Sequence, residues 1–418
     1  MRRELLIGLD VGTTRACALV MDGEGSVRGR AGCALECRFP VAGWVEQDPR
    51  SMWERSLAVL RDALAEADAS ARDVAGLGVA TQRSTVIAWD AQSGQVLAPA
   101  IGWQDQRTAA RAEELQARGV PMPVQASATK LEWLLQSENR VAEAARAGRL
   151  RLGTPDVWLT DRLTGGSRFV TDPSCASGTG LFDSREGSWM EPVLALFGVP
   201  GEALPEVVAT AEIVAETPGE LLGAPVPVAA RVGDQQSASF AQGVHRAGEA
   251  KLTLGTAAML EVHTGGTLQQ AGPGAHALAL WRLPETAMQY CVESSVHTAG
   301  AVVEWLVGIG LLSDVDSLDR VAREVDDAEG VVFVPALQGL GTPYLDDAAR
   351  GLLGGLTRGS KAAHVVRAAV DGLAQRCVDL CEANGLGATP LRVDGGLARS
   401  ELLLQTLADL GGRVIHRA

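Results

Sequence analysis

The distribution of apolar and polar positions predicts strands first. Residues 5–11 (LLIGLDV), 16–22 (ACALVMD) and 27–36 (VRGRAGCALE) are short apolar runs, the last two parted by the turn-forming DGEGS. Residues 48–68 then carry apolar side chains at helical spacing, with Asp48 and Pro49 suited to a helix start. VAGLGVATQ (74–82) and TVIAWD (85–90) are predicted strands, and residues 108–119 and 128–148 amphipathic helices.

Part of the pattern returns later. VPVAARVGDQQSASFAQG (226–243) is an apolar strand ending in Gly-Asp before a helix start, and residues 248–266 give strand, Gly-Thr turn, strand. This predicts an α/β chain of two related halves, 1–228 and 229–418, with Gly-Thr turns facing each other across an interdomain cleft, where small ligands bind.

Composition narrows the function. The 418 residues are 46% hydrophobic, enough for two large cores, and a formal charge of −14 argues against a general nucleic-acid role. No apolar run approaches the roughly 20 residues of a membrane span, so the reading is a soluble, cytoplasmic protein without a membrane partner. Seven scattered cysteines and six histidines form no metal cage, and reduced thiols are expected.

LLIGLDVGTT (5–14) ends an apolar run on the carboxylate of Asp10. A hairpin with an Asx-type turn and a phosphate cradle with a cation-facing carboxylate both fit. Phosphoryl transfer needs backbone N–H groups and a cation on the phosphates, and a base for the acceptor proton. The turns Gly12-Thr13-Thr14 and Gly255-Thr256 could supply the first, and Asp10 could hold Mg²⁺ through hard oxygen ligands. Asp234 either activates an acceptor hydroxyl or caps the following helix, and Gln235 beside it could bind substrate hydroxyls. Arg83 and Trp103 either grip a polyol or are an ordinary surface arginine and core tryptophan.

Eleven collinear stretches, among them GLDVGTTRA, AGWVEQDPRSMW, ATQRSTVIAWD, PAIGWQDQRT, RVGDQQSASFAQG and LRVDGGLARSELLLQ, resemble the FGGY family of carbohydrate kinases, and its glycerol-phosphorylating branch most. The resemblance implies two ribonuclease-H-like, actin-type ATPase domains closing over ATP, Mg²⁺ and a small polyol or sugar. It implies Asp234 as the base, with Asp10 and Asp234 near the metal. Arg83, Ser84, Trp103, Asp234, Gln235 and Met259 fall on acceptor positions. Thr13, Thr14, Arg15, Gly255, Thr256, Gly300, Glu304, Gly396 and Ser400 fall on nucleotide positions. Transfer would be direct, without a phospho-enzyme, and a homodimer is a further expectation. A catalytically silent ATP-binding regulator on the same fold is the alternative.

The departures from the family concern the acceptor. Ser84 stands where that branch has a glutamate, Met259 where it has an aromatic, and GVPMPVQASA (119–128) replaces a longer, tyrosine-bearing loop. This pattern predicts weak use of glycerol, with a ketopentose such as xylulose or ribulose as the alternative acceptor. Cys17 replaces an arginine of the phosphate turn, with Arg15 two residues earlier; Glu304 replaces a glutamine and Ser400 an asparagine. The family continues past GGRVIHRA with an Ala/Gly-rich helix, so an uncovered apolar sheet face is expected in the second half.

Overall fold

The N-terminal apolar runs form an antiparallel meander of β1 (Leu5–Val11), β2 (Arg15–Met21) and β3 (Val27–Ala34). Its register sets Asp10 opposite Cys17 and Cys17 opposite Gly32, so these three residues share one face. The computed structural model describes residues 4–346 and 348–418. β4 (Val74–Thr81) pairs with β1 in parallel, a short β5 (Ala215–Glu216) forms one edge, and β6 (Pro227–Gly233) lies parallel to β4. The order is β5-β6-β4-β1-β2-β3.

Along β1 buried positions alternate with exposed ones at Leu6 and Asp10, so one face of the strand is covered by the core. Ile7, Leu9 and Val11 of β1, with Val74, Leu77 and Val79 of β4, enter one core with the α1 helix (Pro49–Glu66). The α1 residues Met52, Ser56, Val59, Leu60 and Ala63 recur every three or four positions and are buried; Asp48 caps the helix by accepting the Arg50 N–H.

α2 (Ala109–Ala117) matches its predicted segment, whereas residues 128–148 divide into α3 (Ser127–Ser137) and α4 (Asn139–Arg146). Glu138 is extended between them, in a Ser-Glu-Asn stretch whose small polar side chains compete with helical hydrogen bonds. α5 (Pro155–Leu163) and the short α6 (Pro173–Ser177) follow, each with proline in the first turn. α7 (Asp234–Ala241) starts where β6 ends.

The second sheet repeats the plan. β7 (Ala250–Leu254) and β8 (Ala258–Gly265) form the hairpin around Gly255-Thr256; β9 (Ala275–Trp281), β10 (Gln289–Val296), β11 (Leu391–Asp394) and β12 (Ile415–Arg417) complete it. The order β9-β10-β8-β7-β11-β12 again puts the hairpin strand β7 antiparallel to one neighbour and parallel to the other. α8 (Gly300–Gly308), the long α9 (Ala362–Ala383) and α10 (Glu401–Gly411) bury apolar stripes in its core.

The chain groups into two units, Met1–Ser237 with Ala279–Met288, and Ala238–Leu278 with Gln289–Ala418. The sequence reading puts residues 229–237 at the head of the second half. In the structure the ladder to β4 makes β6 part of the first sheet, so Asp234 belongs to the first unit. Among the described residues no helix is long and apolar enough to cross a membrane.

Candidate active site

In an open sheet the carboxyl ends of parallel strands are where backbone polarity and side chains converge on a ligand. β1, β4 and β6 end together here: Val11 pairs with Thr81, and Thr81 with Gly233. Asp10, Arg83 and Asp234 therefore gather at one edge of the first sheet. Asp10 reaches solvent, yet the protein crowding its carboxyl, and then the Asp234 carboxylate, raise its pKa to about 6.

Arg83 Nε lies 3.9 Å from Asp234 Oδ1, and the same oxygen accepts the Gln235 backbone N–H at 2.8 Å. Asp234 is thus held at the start of α7 with a third of its side chain still exposed. A Cβ on Gly233 would stand 2.6 Å from Arg83 Cδ and 2.5 Å from Gln236 Oε1, so glycine is what lets the arginine pass over this strand end.

Ser84 adopts a left-handed backbone (φ 63°), a conformation that costs energy in a non-glycine residue. Its hydroxyl donates to the Gly178 carbonyl at 2.8 Å. Trp103 directs its indole N–H to the Thr13 hydroxyl, 3.0 Å away, and fully buried Lys130 donates to the Trp103 and Gln125 carbonyls. Burial pulls Lys130 down to about 7, against the pull of the Asp105 charge.

Gly12 and Arg15 close the first turn through Gly12 N–H to Arg15 C=O, leaving Thr14 and Arg15 exposed. A Cβ on Gly32 would meet the Arg15 guanidinium at 2.8 Å. Gly32 is the register partner of Cys17, so this cation lies on the sheet face that carries Asp10 and Cys17.

Behind Asp234 lies a buried polar cluster that sequence reading missed. Asp172 accepts from Ser174 Oγ, Thr210 Oγ1 and the Cys175 N–H; Asp156 accepts from Thr154 and Thr171. Burial raises both carboxyls, Asp156 to about 6. Asp156, Asp172 and Cys175 are close enough to share a cation, but these bonds already occupy their oxygens. The stretch TDPSCAS (171–177) hinted at this through its Asp-Pro helix start, with Asp172 as the cap.

In the second unit a cavity of ≈ 320 Å³ is lined by Gly255, Thr256, Gly300, Glu304, Gly396 and Ser400, which sequence reading assigned to nucleotide. Gly300 packs on the turn so closely that a Cβ would meet the Gly255 carbonyl at 2.8 Å. Asp316 and Asp319 also line it and carry no motif signal; Arg399 lines it too, within LRVDGGLARSELLLQ, a stretch in which the resemblance gives it no role. Ser400 caps α10 by accepting the Leu403 N–H and donates to Asp319. Met259, half-buried on β8, does not line this cavity.

A Gly-Thr-Thr turn, an exposed strand-end carboxylate and a second carboxylate beside an arginine thus meet at one end of the first sheet of an α/β fold whose second sheet repeats the plan. Residues 5–241 match the N-terminal domain, and residues 250–418 the C-terminal domain, of the FGGY family of carbohydrate kinases; the chain belongs to this family. It is 41% identical to the glycerol kinase of Citrifermentans bemidjiense and 41% to that of Thermus brockianus, in each case over 99% of this chain and 86% of the relative. The crystal structure of Plasmodium falciparum glycerol kinase with ADP superposes with a TM-score of 0.92 at 26% identity. Xylulose kinase from Rhodospirillum rubrum superposes with 0.84 at 25%. Each covers 99% of this chain, which spans 86% of either structure.

Proposed function

We propose that the chain transfers the γ-phosphoryl group of ATP to a hydroxyl of a small polyol or sugar. The observation that carries this reading is the meeting of Asp10, Arg83 and Asp234 at the ends of three adjacent parallel strands, in a chain of the FGGY family.

Asp234 is the general base. Its carboxylate is fixed by the Gln235 N–H, partly exposed, and 3.9 Å from the Arg83 guanidinium. Arg83, with Trp103 and Gln235, holds the acceptor hydroxyl against it, and attack on phosphorus is direct. The turn at Thr13-Thr14, with Arg15 on the Asp10 face, receives phosphate oxygens; in the second unit the cavity at Gly255, Gly300 and Gly396 receives nucleotide.

A divalent cation fits the donor set. Asp10 and Asp234 are hard oxygen donors, Asp10 is raised by burial and then by the Asp234 charge, and it keeps contact with solvent. Bound there with the nucleotide, Mg²⁺ would neutralise phosphate charge.

For the acceptor, Ser84 supports a preference away from glycerol, because its short hydroxyl already serves the Gly178 carbonyl. The test is ADP release from ATP across glycerol, xylulose, ribulose and related polyols. Acceptor-dependent release is expected, with glycerol a poor substrate. Release that is the same with every acceptor and with none would remove the reading, and efficient glycerol turnover would remove the preference.

A further inference from the structure

Thr13 and Trp103, assigned to opposite ends of the transfer, are joined by two buried glutamines that neither assignment uses. The Thr13 hydroxyl donates to Gln82 Oε1 at 3.0 Å and accepts the Trp103 indole N–H at 3.0 Å. Gln82 Nε2 donates to Gln47 Oε1 at 2.7 Å, and Gln47 Nε2 donates to the Thr13 carbonyl at 2.7 Å. The circuit therefore closes on Thr13 through its hydroxyl and its own carbonyl.

We propose that Gln47 and Gln82 are positioning residues that fasten the first phosphate turn to the acceptor side, so that acceptor and nucleotide strengthen each other's binding. This rests on the kinase reading above.

The circuit has one direction. Turning either amide over sets oxygen against oxygen or N–H against N–H, and with the glutamines 3% and 2% exposed, water is poorly placed to repair the fault. Its members come from different elements. Gln47 precedes α1, Thr13 lies in the β1–β2 turn, and Gln82 follows β4, donating its own N–H to the Val11 carbonyl at 3.0 Å. Gln82 is also the residue before Arg83, and Trp103 anchors its backbone N–H on Thr85 Oγ1 at 3.2 Å. An acceptor that seats against Arg83 and Trp103 thus fixes both residues through which Thr13 is held. Because the Thr13 hydroxyl is committed inside this circuit, phosphate recognition by Thr13 falls to its backbone, whose position the Gln47 bond to the carbonyl sets.

Gln47→Glu and Gln82→Glu keep size but remove one donor each. Glutamate at 47 faces the Thr13 carbonyl with oxygen; glutamate at 82 faces the Gln47 oxygen. Turning Gln47 over in the second variant only moves the fault to the Thr13 carbonyl, and turning Gln82 over in the first adds a fault between the two side chains.

The test is calorimetric titration of ADP with Mg²⁺ into the full chain, alone and with saturating glycerol or xylulose, beside phosphoryl transfer by the same samples. In the parent, acceptor should tighten ADP binding on the order of ten-fold. In each glutamate variant the tightening should fall below about two-fold, while ADP affinity without acceptor changes far less. Thr13→Ser, which keeps the hydroxyl, should retain the coupling that Thr13→Val loses; this pair decides the matter if a glutamate variant fails to fold. Unchanged coupling in the folded variants, equal coupling in Thr13→Ser and Thr13→Val, or a parent that transfers phosphate without coupling would each overturn the proposal alone. Absence of transfer to any acceptor would instead strike the kinase reading.

Discussion

The Gly233 backbone N–H donates to Ser174 Oγ at 2.8 Å, and Ser174 in turn donates to the buried carboxylate of Asp172. The residue that carries this bond immediately precedes Asp234. Arg231, two residues earlier on β6 and fully buried, donates to the Ala209 carbonyl and is drawn electrostatically toward Asp172 and Asp156, while its own burial lowers its pKa. The strand end that presents Asp234 is therefore tied down from behind by a buried polar cluster.

Ser174→Ala removes the link and leaves the Gly233 N–H and one Asp172 acceptor site unmatched, at a cost of about 1–3 kcal/mol. The expected result is a kcat lower by roughly ten-fold with little change in KM for ATP, because the base is displaced while the phosphate turns are untouched. Ser174→Thr, which keeps the hydroxyl, should recover most of the loss. Steady-state kinetics and a thermal melt on both variants check this.

Asp234→Asn removes the carboxylate proposed as the proton acceptor but keeps the shape of the side chain. Turnover should drop by roughly 10²–10⁴ while ADP still binds. Near-normal turnover in a folded Asp234→Asn protein would take Asp234 out of the chemistry.

Gly233→Ala places a methyl group within 2.6 Å of Arg83 Cδ. The arginine must then move away from Asp234. The acceptor KM should rise by roughly ten-fold or more, with ADP affinity held, as initial rates at varied acceptor and a nucleotide titration would show.

Asp156 makes stability depend on pH. Burial lifts it from 3.8 to about 6, with the Thr154 and Thr171 hydroxyls opposing the rise. The folded chain then keeps this proton to about pH 6, whereas the unfolded chain releases it near pH 4. The stabilisation is complete below the unfolded value and is lost as pH rises through about 6, a change of about 2–3 kcal/mol. Asp156→Asn, neutral at every pH, should flatten that part of the stability curve. Denaturant unfolding of both proteins between pH 4 and 7 gives the comparison, and an unaltered slope would reject it.

The chain's local chemistry is written plainly in its sequence. The strand runs at 5–11 and 74–81, the Asp48-Pro49 start of α1 and the Gly-Thr turns follow from apolar spacing and turn residues, which act over a few positions. The family-bearing stretches also named Asp10, Arg83 and Asp234. What the sequence could not order is pairing between distant segments. Only the parallel ladder of β6 on β4 puts Asp234 beside Arg83 and in the first unit, because strands about 150 residues apart choose partners by packing rather than by local pattern. The same holds for direction of hydrogen bonding. Ser84 reads as an acceptor contact and is turned to Gly178; Thr13 reads as a phosphate contact and its hydroxyl is shared by Gln82 and Trp103. A polar side chain near an active site satisfies whichever buried partner the fold brings to it, and only tertiary structure decides which partner that is.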